Sequence, residues 1–406
     1  VSGADEADPA HGTGRREAPG QRLPRSIWAL GFVSLSMDVS SEMIHALLPV
    51  FLVTVLGAST VTVGAIEGIG EATASITKLF SGWLSDRVGR RKWLTAAGYA
   101  LAAVSKPLFA VAPSASWVLL ARFSDRVGKG IRGAPRDALV GDLAPRSLRG
   151  AAFGLRQSLD TVGAFLGPLL AIALMAGSGD DFRLVFWFAV APGLVAVAIL
   201  VIGVREPARS RPRAAAPAPV DWRRLGALGG LFWGVVAVTA VLTLGRFSEA
   251  FLILRARGQG LSLELTPLVL ILMNVVYAVS AYPMGALSDR GGRGGILAAG
   301  FVVLLVADSV LALAPDLAWT ALGVALWGLH MGMTQGLLAA LVTEAVPEDQ
   351  RGTAFGFFHL ASGAAVLAAS FIAGLLWQWA GPPAAFVGGG VFTALGLAGL
   401  AVLRRR

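Results

Sequence analysis

From residue 27 onward the chain alternates long apolar runs with short polar links. The runs lie at about 27–56, 62–84, 93–112, 116–138, 150–176, 183–204, 227–254, 264–287, 295–314, 317–343, 352–378 and 383–403. Each has the roughly 20 residues that a helix needs to cross about 30 Å of hydrocarbon. A bilayer offers no water to exposed backbone groups, so only helices and closed barrels span it, and runs of this length select helices. The pattern predicts an all-α integral membrane protein with twelve transmembrane helices. Residues 1–26 are polar, rich in Gly and Pro, and lack the apolar core of a secretory signal, so a disordered tail is expected there.

Composition agrees with the pattern. Of 406 residues 55% are hydrophobic and 15% charged, against about 25% charged in soluble domains. The net charge of +9 does not point to nucleic acid, because the basic residues crowd every second link: "DRVGRRK" at Asp86–Lys92, "APRSLRG" at Ala144–Gly150, "REPARSRPR" at Arg205–Arg213 and "DRGGR" at Asp289–Arg293. This is the positive-inside distribution, and it places both termini in the cytoplasm. The link after the seventh span, with Arg255 and Arg257, departs from it. No cysteine occurs, which excludes disulfides and thiolate metal sites.

The widest polar interruption, at 205–226, has the prolines and like charges of an extended linker and divides the spans six and six. It separates an expected bundle at 27–204 from another at 227–403. The halves echo each other. "GWLSDRVGRR" begins at Gly82 and "GALSDRGGRGG" at Gly285, an offset of 203; "RGAAFG" at Arg149 and "RGTAFG" at Arg351 are offset by 202. A six-span unit duplicated in parallel orientation implies a substrate path between two bundles near the membrane midplane.

On these residues the chain resembles the major facilitator superfamily. "GWLSDRVGRRKWL" matches the family signature after span two through Gly82, Asp86, Arg87, Gly89 and Arg90, and Asp289 with Arg290 keeps its core in the second half. "RVGKGIRGA" is similar to the fourth-span motif, with Lys129 where glutamine is more usual. The resemblance implies alternating access by two rocking bundles driven by an ion gradient, in a bacterial inner membrane, by a monomer without cofactors. Read physically, Asp86 and its arginines sit at helix ends where they can latch one conformation; the plainer reading is that the arginines only set topology.

The charges inside the spans are costly and therefore informative. Asp38, Ser41, Glu42 and His45 follow the three- and four-residue spacing of one helix face, with Pro49 placed to loosen the helix beyond them. Span two repeats the device with Glu67, Glu71 and Lys78. In span four Arg122, Asp125, Arg126, Lys129, Arg132 and Arg136 fall within an arc of roughly 120°, which cannot face lipid. Span five adds Arg156, Gln157 and Asp160, and span three Lys106. Asp125, Arg126, Lys129 and Asp160 also read as mutually neutralising structural pairs, whereas Asp38, Glu42 and Glu67 have fewer obvious partners. The second half is poorer in charge: Arg246, Glu249, Asp308, His330 and His359, with Asn274 and Tyr277 as secondary cavity candidates. His330 on an apolar helix reads first as a satisfied hydrogen-bonding residue. Trp233, Trp327 and Trp377 read first as lipid-interface anchors.

Asp38, Glu42 and His45 have the donor types of a divalent-metal site, and "MDVSSEMIHALLPV" and "GKGIRGAPRDAL" are loosely similar to bacterial permeases of metal resistance. Arg122, Arg126 and Lys129 repel a bare cation and suit an anionic partner instead. The expectation is a proton-coupled exporter of a divalent metal or its complex, with export of organic molecules as the competing reading. Its partners are a small-molecule or ion substrate, protons and membrane lipid. No nucleotide-binding loop or appended soluble domain is present, so an ATPase or other enzyme is not expected.

Overall fold

The structure is a computed structural model and describes residues 22–206 and 229–403, apart from 89, 146–147, 292, 345 and 347–350. Among the described residues there are fifteen helices and no strand. In the first half they are α1 (Arg25–His45), α2 (Leu48–Thr54), α3 (Thr60–Val88), α4 (Arg91–Ala110), α5 (Ala115–Leu143), α6 (Arg149–Ser178), α7 (Phe182–Phe188) and α8 (Val190–Gly203). In the second half they are α9 (Gly230–Gly245), α10 (Ala250–Gly258), α11 (Leu268–Gly291), α12 (Arg293–Leu313), α13 (Leu317–Glu344), α14 (Arg351–Ala380) and α15 (Pro382–Leu403). The tail and, beyond Glu206, most of the expected linker lie outside the described residues.

Three of the twelve expected spans are each made of two helices. Span one breaks between α1 and α2, where Pro49 lacks an N–H and its ring crowds the carbonyl of His45. Span six breaks at Ala189, four residues after Val185 and just ahead of Pro192, whose ring meets the carbonyl of Phe188 in the same way. The break in span seven has no such signal, since the run there contains no proline. Gly245 ends α9, and just ahead of α10 the Ser248 hydroxyl accepts from the Ala250 N–H at 3.2 Å.

Eight spans are long and apolar enough by composition alone to cross a membrane. Of the rest, α3, α4 and α5 fall short because they carry charged side chains, Glu67, Lys106, Arg122, Asp125 and Arg126 among them, that are buried against neighbouring helices instead of facing lipid. That is the expected state of intramembrane polar groups, which survive only where the bundle satisfies them.

In the first half α1 packs on α6 and α8, α5 on α3 and α4; in the second, α15 packs on α9 and α12, and α13 on α11 and α12. The halves meet along α3 against α14, and more lightly through α2 against α10 and α6 against α11. Glycines permit the main seam: a Cβ on Gly68 would stand 3.0 Å from the Leu367 Cα.

Twelve crossings bring both described chain ends to one face, the terminal face. Towards the far face an aromatic layer closes the second half. Phe247 meets Phe251, Trp327 and Phe386 at centroid distances of 5.5, 5.4 and 5.5 Å, and Trp377 stacks on Phe251 at 5.6 Å. Trp327 is wholly buried, so it is a core residue and not an interface anchor.

Candidate functional site

The polar face of α1 is built by helical spacing and held by glycine. A Cβ on Gly163 of α6 would stand 3.0 Å from the Asp38 Cβ, and one on Gly167 would stand 2.9 Å from the Glu42 Cβ. The absence of side chains there lets α6 seat directly on α1 and turns Glu42 and His45 toward the gap between the halves.

That gap is a cavity of about 450 Å³. Glu42, His45, Glu67, Glu71, Arg126 and Lys129 line it from the first half; Arg246, Glu249, Asn274 and Gln335 line it from the second. Its charges are mostly paired. Arg122 Nη2 donates to Glu67 Oε2 at 2.5 Å. His45 Nδ1 lies 3.3 Å from Glu42 Oε2, and its Nε2 lies 3.8 Å from Glu67 Oε2. Arg126 Nη2 lies 3.2 Å from Glu71 Oε1. An imidazole thus bridges two carboxylates, one of them held by a buried guanidinium. The side chains of Lys129, Arg246 and Glu249 make no ion pair or hydrogen bond among the described residues.

Apart from Lys129, each charged residue in the arc of α5 has a partner. Besides the pairs above, Lys106 Nζ donates to Asp125 Oδ1 at 2.8 Å and to Ser41 Oγ at 3.0 Å, tying spans one, three and four together. The Arg132 guanidinium lies 4.8 Å from the Tyr99 ring centroid. Arg136 and Arg156 approach Asp160 at 3.9 and 3.5 Å.

The expected convergence of Asp38 with Glu42 and His45 is not found. Asp38 faces Asp160 across the α1–α6 seam and lines a different space, a cavity of about 530 Å³ between α6 and α11. Residues 38 and 45 are two turns apart, and the close seating of α6 leads the first carboxylate away. Among the described residues no group of three or more His, Asp or Glu is arranged to hold a metal ion. Glu67, expected to have fewer obvious partners than the charges of α5, is paired with Arg122.

Of the secondary candidates, Asn274 borders both cavities, and the Tyr277 hydroxyl donates to Gln335 Oε1 at 3.4 Å. His330 is satisfied by the Gly300 carbonyl at 2.9 Å, as its apolar helix leads one to expect. At the terminal face Gly82 packs against Ala134 and Arg87 stacks over Trp83 at 5.4 Å, while Arg90 is exposed. Gly89 and the side chains of Asp86, Asp289 and Arg290 lie outside the described residues. Sequence reasoning names Arg246 and Glu249 without placing them in the site. Their three-residue spacing inside an apolar run is the available signal.

Comparison with known proteins agrees with this architecture. The family model described as Major Facilitator Superfamily matches residues 30–273 and 250–406. The chain is 32% identical over 366 residues to an uncharacterized MFS-type transporter of Methanocaldococcus jannaschii, covering 88% of this chain and 90% of the relative. A shorter stretch of 188 residues is 26% identical to the quinolone resistance protein NorA of Staphylococcus aureus, covering 46% of this chain and 47% of that one. Among solved structures, that of a mutant of the nucleoside transporter NupG superposes with a TM-score of 0.77 at 11% identity, covering 93% of this chain and 99% of the other. Duplicated six-span halves, a charged cavity between them and a family match over nearly the whole chain lead to one assignment: the protein is a multi-pass membrane transporter of the major facilitator superfamily, a family of transporters and not of enzymes.

Proposed function

We propose that the protein is a proton-coupled antiporter that exports an organic solute bearing an anionic group. The bundles at 27–204 and 227–403 would rock about the central cavity. The observation that carries this reading is His45 held between Glu42 and Glu67, with Glu67 also on Arg122. A proton added to this chain changes which partner each carboxylate keeps, and so couples protonation to the packing of α1, α3 and α5.

The cargo follows from the groups left over. Lys129 from the first half and Arg246 from the second stand in the cavity wall without ion-pair partners among the described residues. A bare divalent ion meets repulsion there, and three of the four acids lining the cavity, Glu42, Glu67 and Glu71, are already engaged with His45, Arg122 and Arg126. This favours the organic reading over the metal one, and the partial likeness to NorA supports export. The basic links at the terminal face support a cytoplasmic placement of both ends, and Asp86 and Asp289 are proposed as latches there.

The test is a growth screen of an overexpressing strain against zwitterionic quinolones, lipophilic cations, nickel and zinc, followed by proteoliposome flux under an imposed pH gradient. Resistance to anionic or zwitterionic organics, with flux driven by the gradient, is the expected result. Resistance confined to one metal overturns the cargo, and flux indifferent to the gradient overturns the coupling.

A further inference from the structure

Asp308 in α12 is 1% exposed, and neither of its carboxylate oxygens has a hydrogen-bond partner. Its neighbours are the glycines of α15 and the end of α9. A Cβ on Gly389 would stand 3.3 Å from Asp308 Oδ2, 3.0 Å from the Gly245 carbonyl oxygen and 2.9 Å from Phe247 Cε1. Gly245 closes α9 at the unexpected break in span seven. Among the described residues no backbone N–H beyond that break returns to its carbonyl. An acid without a partner and an acceptor without a donor therefore abut the same glycine.

The internal repeat explains why the acid is alone. An offset of 202 carries Lys106 onto Asp308 and Asp125 onto Trp327. In the first half Lys106 and Asp125 form a buried ion pair that also reaches Ser41 on span one. In the second half an acid stands at the lysine position, and the fully buried indole of Trp327 stands at the partner position. The counter-charge has been replaced by a neutral ring, whose Nε1–H is itself buried without a hydrogen-bond partner.

An ionised carboxylate in this setting has nothing to offset its desolvation. Hard metal cations such as calcium take six or more oxygen ligands, whereas the cradle offers this carboxylate and one carbonyl. A proton needs no more than those two groups. We propose that Asp308 is a proton-binding site of the second half, separate from the Glu42–His45–Glu67 chain. It holds its proton, directed at the Gly245 carbonyl, while span seven is broken as observed. When α9 and α10 shift and the cavity admits water, the O–H bond breaks, the proton passes to water and the carboxylate remains.

The ionisable groups on the packed elements do not compete. α15 has none, His330 on α13 is turned to the Gly300 carbonyl, Arg246 and Glu249 at the break line the cavity, and Tyr277 on α11 is bonded to Gln335. Asp289, Arg290, Arg293 and Glu344 belong to the terminal-face ends of their helices.

The test uses the full chain in lipid nanodiscs. Because the sequence lacks cysteine, Ser59→Cys and Gly258→Cys can carry spin labels on the two halves at the far face. Infrared spectra across a pH series should show a protonated-carboxyl C=O band that Asp308→Asn lacks. In the protein with Asp308 intact, that band should fade with rising pH as the label distance changes; in Asp308→Asn the distance should stay at its low-pH value. Gly389→Ala, which pushes a methyl group between Asp308 and Gly245, should shift the band even if the Asn variant folds poorly. Absence of a band assignable to Asp308 overturns the proposal. So does a band and distance that ignore pH, or a band unmoved by Gly389→Ala.

Discussion

Arg122 on α5 donates to Glu67 on α3 at 2.5 Å, with their side chains only 3% and 1% exposed. No other ion pair at the cavity wall is so fully shielded among the described residues, and it anchors the imidazole of His45 through Glu67. Because the two charges are withdrawn from water together, each is tolerable only while the other is present.

Removing one partner should therefore be far worse than removing both. Arg122→Gln or Glu67→Gln alone is expected to destabilise by about 3–5 kcal/mol, whereas the double change Arg122→Gln with Glu67→Gln should recover part of that loss. Chemical unfolding of the purified protein in detergent measures the difference. Additive single effects would show that the pair is not coupled.

His45→Gln keeps a hydrogen-bonding side chain between Glu42 and Glu67 but removes the exchangeable charge. Its folding should be near normal, and its flux should lose most of the pH dependence seen in the parent protein. Transport rates in proteoliposomes over a pH series decide this. An unchanged profile places the coupling elsewhere.

Lys129 and Arg246 face the cavity without ion-pair partners among the described residues. Lys129→Ala and Arg246→Ala should thus leave the melting temperature almost unchanged while weakening binding of anionic organics about tenfold or more each, the scale of one lost charge-assisted hydrogen bond. Ligand-induced thermal shift with a quinolone and with its carboxylate ester reports the effect. Equal loss for acid and ester would argue against an anion clamp.

Gly163 seats α6 on α1, and a Cβ placed on it would stand only 3.0 Å from that of Asp38. Gly163→Val should cost about 1–3 kcal/mol through overpacking and impair transport by displacing Asp38 and Glu42. Gly154→Ala on the same helix has nothing within 4 Å and serves as the neutral control. Thermal denaturation of the two variants makes the comparison.

The seam between α3 and α14 brings a Cβ at Gly363 to 3.1 Å from the Ser75 Cβ, a few tenths of an ångström short of disulfide geometry. Gly363→Cys with Ser75→Cys should cross-link on oxidation, arrest flux and recover on reduction. Full cross-linking with undiminished flux would mean that the halves do not separate along this line.

Hydrophobic run length alone determined the all-helical character and the membrane setting, though not the breaks that split three spans into two helices each, because hydrocarbon admits few solutions to backbone hydrogen bonding. The proline breaks near His45 and Phe188 follow from local geometry, and the 202–203 offset exposed the duplicated halves. Helical spacing also put Glu42, His45, Glu67 and Glu71 on inward faces. Pairing was another matter. Whether Glu67 meets Arg122, Asp125 meets Lys106, or Asp38 meets Asp160 depends on how closely particular helices approach and at what height, and that is set by glycine contacts between residues far apart in the chain. The break in span seven and the isolation of Asp308 are likewise tertiary facts: a carboxylate and a free carbonyl become neighbours only when α9, α12 and α15 pack together.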